Sequence, residues 1–142
     1  MPLYIHFHGG MGIGGSPDYE KGVLARLAVE NRILILNVGY RLCPEVQYQT
    51  CHRDAKAAID HIIENPEKYG YDPEKISIGG VSAGGWVTMG SAILLARDEK
   101  KYNEKIKLMI LTCPMLGSHQ AVNIKKEEAE PWEQKTWQVS IE

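Results

Sequence analysis

The sequence predicts an α/β fold with about four parallel strands and helices on both faces of the sheet. Short apolar runs alternate along the chain with segments whose apolar residues recur at helical spacing. Alternation of this kind implies right-handed crossovers and a parallel sheet. Glycine-rich turns follow two of the strands, at the carboxyl ends where such folds place their ligands. The 142 residues, 44% of them hydrophobic, suffice for one modest core.

Four strands and three helices follow in order from this pattern. The predicted strands are the apolar runs 3–7, 33–38, 76–79 and 107–112. Three segments separate them in which apolar residues recur at helical spacing, at positions 19, 23, 24, 27 and 28, then 55, 58, 59, 62 and 63, then 87, 91, 94 and 95. Pro66 follows the second stripe and ends that helix. Residues 1–116 are interpreted as the α/β core and 117–142 as a polar tail.

The third strand runs into Gly80-Val81-Ser82-Ala83-Gly84, and a helical segment follows. A G-x-S-x-G motif between a strand and a helix is typical of a nucleophile elbow, where a sharp turn lifts the serine hydroxyl above the sheet. Glycine stands two residues before and after Ser82, where a Cβ would clash across the turn. A phosphate-binding loop is the alternative, but its lysine and Ser/Thr are missing.

A second glycine-rich segment, His8-Gly9-Gly10-Met11-Gly12, closes the first strand. Acyl transfer needs backbone N–H groups aimed at the developing oxyanion. In hydrolases with a nucleophile elbow, one comes from the residue after the serine and one from an earlier loop of this kind. Taken alone, the segment is more typical of a flexible loop. Next to the elbow, the oxyanion interpretation is favoured.

Three motifs in order resemble the hormone-sensitive-lipase-like esterases, the alpha/beta hydrolase fold-3 group. They are the HGG motif at 8–10, Tyr40-Arg41-Leu42-Cys43-Pro44-Glu45 in place of Y-R-L-A-P-E, and Gly80-Val81-Ser82-Ala83-Gly84-Gly85 in place of G-D-S-A-G-G. The resemblance extends over residues 3–116. It implies the central portion of an α/β-hydrolase fold and a serine carboxylesterase or lipase-like activity.

By this resemblance Ser82 is the nucleophile, and the backbone N–H groups of Gly10, Met11 and Ala83 form the oxyanion hole. The glycines and the histidine around them support the two turns: His8, Gly9, Gly80 and Gly84. Met11 replaces a third glycine of many members, and Val81 replaces the usual aspartate. The reaction implied is hydrolysis of a small acyl ester through an acyl-serine, with no metal or cofactor.

A histidine base and a carboxylate should follow the serine in this family. The histidine after Ser82 is His119, and the aspartate is Asp98, at the far end of the helix that begins at the elbow and roughly 20 Å along it. We expect Asp98 to point away and His119 to be a loop residue. The chain therefore resembles a hydrolase fragment that ends before the triad Asp and His. The tail 117–142 is expected to be a solvated helix; the alternative is a partial lid lined by Trp132 and Trp137.

The composition bears on which partners and which cellular compartment are expected for the protein. The chain has 16 Lys and Arg against 18 Asp and Glu and no basic stripe, so nucleic acid is not an expected partner. No apolar stretch is long enough for a transmembrane helix, and the start does not resemble a signal peptide. Three cysteines without paired metal spacing predict reduced thiols and a cytoplasmic protein.

Two other functions stay open at this point. One is a catalytically inert or binding paralogue with the same fold, and the other is a different acyl hydrolase or a peptidase. The strands 33–38 and 107–112 are predicted to be the sheet edges, and both are apolar without proline or an inward charge. Such edges pair with other chains, so we expect self-association.

Overall fold

The computed structural model describes residues 1–100 and 102–116. Its four strands are β1 (Leu3–Phe7), β2 (Leu34–Val38), β3 (Ile76–Val81) and β4 (Ile106–Thr112). They form one sheet in the order β2-β1-β3-β4, and every neighbouring pair is parallel. The predicted α/β class is confirmed, and β3 runs two residues further than the apolar run indicated.

The helices lie between the strands, as the sequence predicts. They are α1 (Lys21–Asn31), α2 (Tyr48–Glu64), the short α3 (Pro66–Tyr69) and α4 (Ala83–Ala96), with a 3-10 turn at Tyr102–Lys105. The buried side chains of α2 form one stripe, at positions 51, 55, 59, 62 and 63. Pro66 occupies the first turn of α3, where its missing N–H costs nothing, and Gly70 ends that helix at a φ of 73°.

The two faces of the sheet are covered unequally. Leu3, Ile5 and Phe7 of β1 are fully buried in the core that α2 and α4 complete. The alternate side chains of β1, Tyr4 and His6, face the other way, as the period of a strand requires. With residues of α1 they line an open groove of about 520 Å³. Helices therefore cover both faces, two of them on one side and α1 on the other.

The outer strands of the sheet are β2 and β4, as the sequence predicts. Three consecutive apolar side chains of β4 are exposed, at Leu108, Met109 and Ile110. Apolar residues on an edge strand, which is paired on one side only among the described residues, leave backbone groups and apolar surface available to another chain. Self-association through these edges stays a prediction.

Several predictions fall outside the described residues. The polar tail 117–142 is among them, with His119 and the lid tryptophans Trp132 and Trp137. The boundary between a core at 1–116 and a tail therefore stays a prediction.

Candidate active site

Ser82 is the single residue between the last position of β3 and the first position of α4. Its backbone has φ 53° and ψ −117°, a conformation that residues with a Cβ rarely adopt. Strain of this kind costs on the order of 1–3 kcal/mol and persists only where neighbouring contacts impose it. The Ser82 N–H donates to the Thr112 carbonyl over 2.9 Å, and its carbonyl accepts from the N–H groups of Gly85 at 3.0 Å and Met115 at 3.1 Å. The sheet and the first turn of α4 thus hold the serine in place.

The flanking glycines let the elbow approach β1. A Cβ at Gly80 would lie 2.5 Å from the Phe7 carbonyl oxygen, and one at Gly84 would lie 1.9 Å from the same atom. Contacts this short do not occur between real atoms, so a side chain at either position would push α4 away from β1. The glycines of the motif therefore fix how closely the start of α4 lies over the end of β1.

The glycine-rich loop after β1 lies next to Ser82. Strands β1 and β3 are paired neighbours, with Phe7 opposite Gly80. A Cβ at Gly9 would lie 3.6 Å from the Ser82 Cβ and 3.2 Å from the Val81 carbonyl oxygen. The structure therefore brings the two motifs of the sequence to one place, above the carboxyl ends of the two central strands.

The loop has a defined conformation rather than that of an irregular linker. Gly10, Met11 and Gly12 all have positive φ, at 126°, 58° and 76°. The Gly10 carbonyl accepts from the N–H groups of Ile13 at 3.2 Å and Gly14 at 3.0 Å. A Cβ at Gly10 would lie 2.1 Å from the Gly14 carbonyl oxygen, so this turn requires glycine there.

The backbone donors of the two motifs can be assigned one by one. The Gly9 N–H donates to the Glu20 carboxylate over 3.2 Å. Within residues 1–100 and 102–116, the N–H groups of Gly10 and Met11 have no acceptor. Ala83 is the first residue of α4, where N–H groups lie ahead of the helical hydrogen bonds. Among the described residues, the N–H groups of Gly10 and Met11 are thus left without an acceptor, whereas the Gly9 N–H is bound to Glu20.

The His8 side chain and residues of the Tyr40–Glu45 segment contact the glycine-rich loop. The Tyr40 hydroxyl donates to the His8 carbonyl over 2.8 Å, and the two rings stack at 4.4 Å. Burial raises the pKa of Tyr40, so the phenol keeps the proton that it donates. The His8 Nδ1 lies 2.7 Å from the Gly9 carbonyl, and the Cys43 N–H donates to the Gly12 carbonyl over 2.8 Å. The Tyr40–Glu45 motif therefore supports the loop, in addition to forming a turn.

Arg41 of the Tyr40–Glu45 segment lies at the surface. Its side chain is 65% exposed. It makes a two-pronged ion pair with Asp54, with Nε at 2.9 Å from Oδ2 and Nη2 at 2.8 Å from Oδ1. The guanidinium lowers the pKa of Asp54. The pair links the Tyr40–Glu45 segment to α2 at the surface.

Asp98 lies away from Ser82, as expected. Its Oδ2 is 2.5 Å from Lys56 Nζ, and hydrogen bonding to that lysine lowers the pKa of Asp98. His52 packs against α4, with its ring 4.3 Å from the Trp86 ring. A Cβ at Gly90 would overlap that imidazole at 2.4 Å, so Gly90 makes room for it. Among the described residues, no imidazole or carboxylate forms a hydrogen bond with the Ser82 hydroxyl.

Two residues near the loop were not identified from the sequence. Glu20 contacts Gly9, and Trp86 approaches Gly12, where a Cβ would lie 3.5 Å from the indole. Acidic residues are common at the start of a helix, where they interact favourably with the helix dipole. The position of Glu20 in the sequence therefore does not indicate a contact with the loop. The sequence pattern places Trp86 only on the helix after the elbow.

Within the described part of the chain, no helix has the length and apolar character needed to cross a bilayer.

Several known proteins that this chain resembles are named esterases. The chain is 38% identical over 98 residues to an arylesterase of Saccharolobus solfataricus, covering 69% of this chain and 32% of that protein. It is 36% identical over 100 residues to the carboxylesterase NlhH of Mycobacterium tuberculosis, covering 69% of this chain and 30% of the other. The fold matches a hyperthermophilic esterase from the archaeon Pyrobaculum calidifontis with a TM-score of 0.73 and 33% identity, over 80% of this chain and 35% of that one.

The chain thus spans about a third of the length of these two curated relatives. A family profile described as "alpha/beta hydrolase fold" matches residues 4–140, almost the whole sequence. The resemblance drawn from the three motifs is confirmed by these matches. The chain belongs to the alpha/beta hydrolase fold family and corresponds to the central region of its esterases.

Proposed function

We propose that this chain carries the nucleophile and the oxyanion hole of a serine carboxylesterase. The observation that supports this most directly is the placement of Ser82. It occupies a strained turn beside a folded loop whose Gly10 and Met11 N–H groups have no acceptor among the described residues. A structural serine needs neither the strained backbone nor unpaired donors next to it.

The chemistry follows from these positions. The Ser82 Oγ attacks the carbonyl carbon of the ester, and its proton passes to a base. The carbonyl oxygen becomes an oxyanion that the N–H groups of Gly10, Met11 and Ala83 stabilise. Each donor of this type contributes about 3–4 kcal/mol to transition-state stabilisation in serine hydrolases. The alcohol then leaves with a proton, and water hydrolyses the acyl-serine to release the acid.

The base is the part of the proposal that the described residues do not supply. Asp98 is paired with Lys56, and the Ser82 hydroxyl has no hydrogen-bond partner within residues 1–100 and 102–116. We therefore place the histidine and the carboxylate of the triad outside these residues. A chain lacking them keeps only the rate enhancement of binding and the oxyanion hole, on the order of 10³–10⁴ over water.

The substrate class rests on the relatives. One is named an arylesterase and another a carboxylesterase, so we propose small carboxylic esters, aryl esters included. No charged or metal-binding group of the site enters the proposal, and hydrolysis through an acyl-serine needs no cofactor.

Two reagents test the proposal on the 142-residue chain. A fluorophosphonate probe should label Ser82 slowly, and p-nitrophenyl acetate should turn over near the background rate. The Ser82→Ala variant is the control and should remain unlabelled. Labelling at another residue, or equal labelling of wild type and Ser82→Ala, would reject Ser82 as the nucleophile. Fast turnover abolished by Ser82→Ala would show that a base is present, and His119→Ala would identify or exclude that histidine.

A binding protein without activity is the second candidate, and it is favoured by the lack of a hydrogen-bond partner for the Ser82 hydroxyl within residues 1–100 and 102–116. Such a protein would bind an ester or an acid without cleaving it and would resist the probe even at long times. A peptidase on the same fold is a third candidate, which a panel of ester and amide substrates would separate from an esterase.

We also propose that the exposed edges β2 and β4 cause this chain to self-associate.

A further inference from the structure

Glu20 lies at the end of the glycine-rich loop, immediately before α1. Its backbone carbonyl accepts the helical hydrogen bond from Leu24 over 2.9 Å, but its carboxylate does not cap the helix. Instead Oε1 accepts the Gly9 N–H over 3.2 Å, across 11 positions of sequence. The carboxylate is therefore turned away from its own helix and towards the loop beside Ser82.

The contact fixes one side of a peptide group whose other side is also held. The peptide between His8 and Gly9 presents the His8 carbonyl to the Tyr40 hydroxyl at 2.8 Å and the Gly9 N–H to Glu20 at 3.2 Å. Because a trans peptide is planar, with its carbonyl and N–H on opposite sides, two partners on opposite edges define the orientation of the plane. Tyr40 and Glu20 thus hold this peptide from both sides.

The next peptide carries the first donor of the oxyanion hole. It contains the Gly9 carbonyl, which lies 2.7 Å from the His8 Nδ1, and the Gly10 N–H. The direction of that N–H depends on how this plane is set relative to the preceding one, since the two share the Gly9 Cα. Glycine has the broadest backbone freedom of any residue, so the plane would rotate without such contacts.

We propose that Glu20 is a positioning residue for the oxyanion hole, acting through the Gly9 N–H to orient the Gly10 N–H. The proposal rests on the esterase function proposed above for Ser82. Glu20 does not reach the reacting atoms, because the Gly9 peptide lies between its carboxylate and the substrate.

The surroundings of Glu20 show why the contact is maintained. Its second oxygen, Oε2, is buried without a hydrogen-bond partner among the described residues, as is His6 Nε2, 3.9 Å away. The His6 Nδ1 lies 3.1 Å from the Tyr4 hydroxyl, so Tyr4 and β1 fix the imidazole against the carboxylate. Burial lowers the pKa of His6, with Glu20 opposing the shift, so the imidazole is largely neutral at pH 7. The Gly9 N–H is therefore the hydrogen-bond donor that the described residues provide to the Glu20 carboxylate.

Three substitutions at Glu20 separate the role of its oxygen from that of its charge. Glu20→Gln keeps an oxygen at the same distance and removes the charge. Glu20→Asp keeps the charge but withdraws the oxygen by one methylene, and Glu20→Ala removes both. The matched control is Glu30→Gln on the exposed side of α1, where the carboxylate pairs with Arg26.

Two measurements are made on the 142-residue chain. Amide hydrogen exchange reports on the Gly9 N–H, and the rate of Ser82 labelling by a fluorophosphonate reports on the oxyanion hole. We expect Glu20→Ala and Glu20→Asp to lose protection at Gly9 and to label ~10- to 100-fold more slowly, the loss typical of a misplacement of about 1 Å. Glu20→Gln should retain both properties, and Glu30→Gln should match wild type.

The outcomes are distinguishable. Unchanged Gly9 protection in Glu20→Ala would overturn the contact itself. Lost protection with an unchanged labelling rate would overturn the positioning role. If Glu20→Ala does not fold, the comparison of Glu20→Gln with Glu20→Asp decides, because equal labelling by the two contradicts a role for the oxygen. Wild-type protein that is never labelled rejects the proposed function and the role of Glu20 in it, while Gly9 exchange still reports whether the contact forms.

Discussion

Replacing Gly84 by alanine tests whether α4 sits on the end of β1 as closely as the structure places it. The new Cβ would lie 1.9 Å from the Phe7 carbonyl oxygen and 2.7 Å from the His8 carbonyl oxygen. Both obstacles are backbone atoms, one of the last residue of β1 and one of the residue after it, and they cannot rotate away as a side chain could. Ordinary packing contacts of carbon begin near 3.5 Å, so the start of α4 has to retreat by more than about 1 Å.

The expected cost follows from two opposing effects. Overpacking of this kind destabilises a fold by ~1–3 kcal/mol. Alanine is favoured over glycine within a helix by up to about 1 kcal/mol, which offsets part of the loss. Because the clash is with backbone, the overpacking cost should lie near the upper end of that range, so we expect Gly84→Ala to lower the free energy of unfolding by roughly 2 kcal/mol after the offset. The retreat also moves the Ala83 N–H away from the loop at Gly9, so labelling of Ser82 should fall by ~10- to 100-fold.

Gly22→Ala is the matched control for this prediction. Gly22 also lies in the first turn of a helix, and nothing lies within 4 Å of the position its Cβ would take. We expect this variant to gain up to about 1 kcal/mol from helix propensity and to label at the wild-type rate. Urea unfolding and probe labelling of both variants, measured side by side, check the reasoning. If Gly84→Ala is as stable as Gly22→Ala, then α4 is not seated on β1 and the geometry drawn for the elbow is wrong.

Three further substitutions address other features. Ser82→Gly should abolish labelling because it removes the hydroxyl. It should also raise the free energy of unfolding, measured by urea denaturation, by about 1 kcal/mol, because glycine adopts φ 53° without strain. Tyr40→Phe should lower that free energy by ~1–3 kcal/mol, since it leaves the His8 carbonyl without its donor. Ile110→Lys places a charge among the exposed side chains of β4 and should shift the sedimentation profile towards the monomer.

Each of these has a control on the same chain. Ser82→Ala removes the hydroxyl but keeps the Cβ, so equal stability of the alanine and glycine variants would argue against backbone strain. Tyr19→Phe changes a tyrosine that is 72% exposed and should leave stability unchanged. Ile93→Lys places the same charge on the exposed surface of α4. If it disperses the chain as well as Ile110→Lys does, the edge is not the contact surface.

The features that the sequence predicted are those encoded over short spans. The two glycines around Ser82 indicated the elbow because a turn between strand and helix requires small residues at those positions. The order of the motifs along a parallel sheet placed Gly9 beside Ser82, since carboxyl ends of neighbouring strands lie together. Strand and helix periods identified every major element.

Contacts between distant side chains were the part that the sequence did not reveal. The Tyr40 hydroxyl reaches back 32 positions to His8, and Glu20 reaches 11 positions to Gly9. Neither pair lies within one helix or one strand, so only the tertiary structure brings the partners together. Arg41 shows the same limit: its partner is Asp54, but the exposure of the pair depends on how α2 lies against the preceding turn.

The pairing of β1 with β3 has a consequence for how the site forms during folding. The Ser77 hydroxyl donates to the Leu3 carbonyl across 74 positions of sequence. The two strands therefore pair through contacts between residues that are far apart along the chain. Closing a loop of that length is entropically costly and slow compared with forming any one helix. A nascent or partly folded chain could thus contain its helices while the loop at Gly9 and Ser82 remain far apart. Reactivity of Ser82 would then report completion of the sheet, later than any signal from helix content.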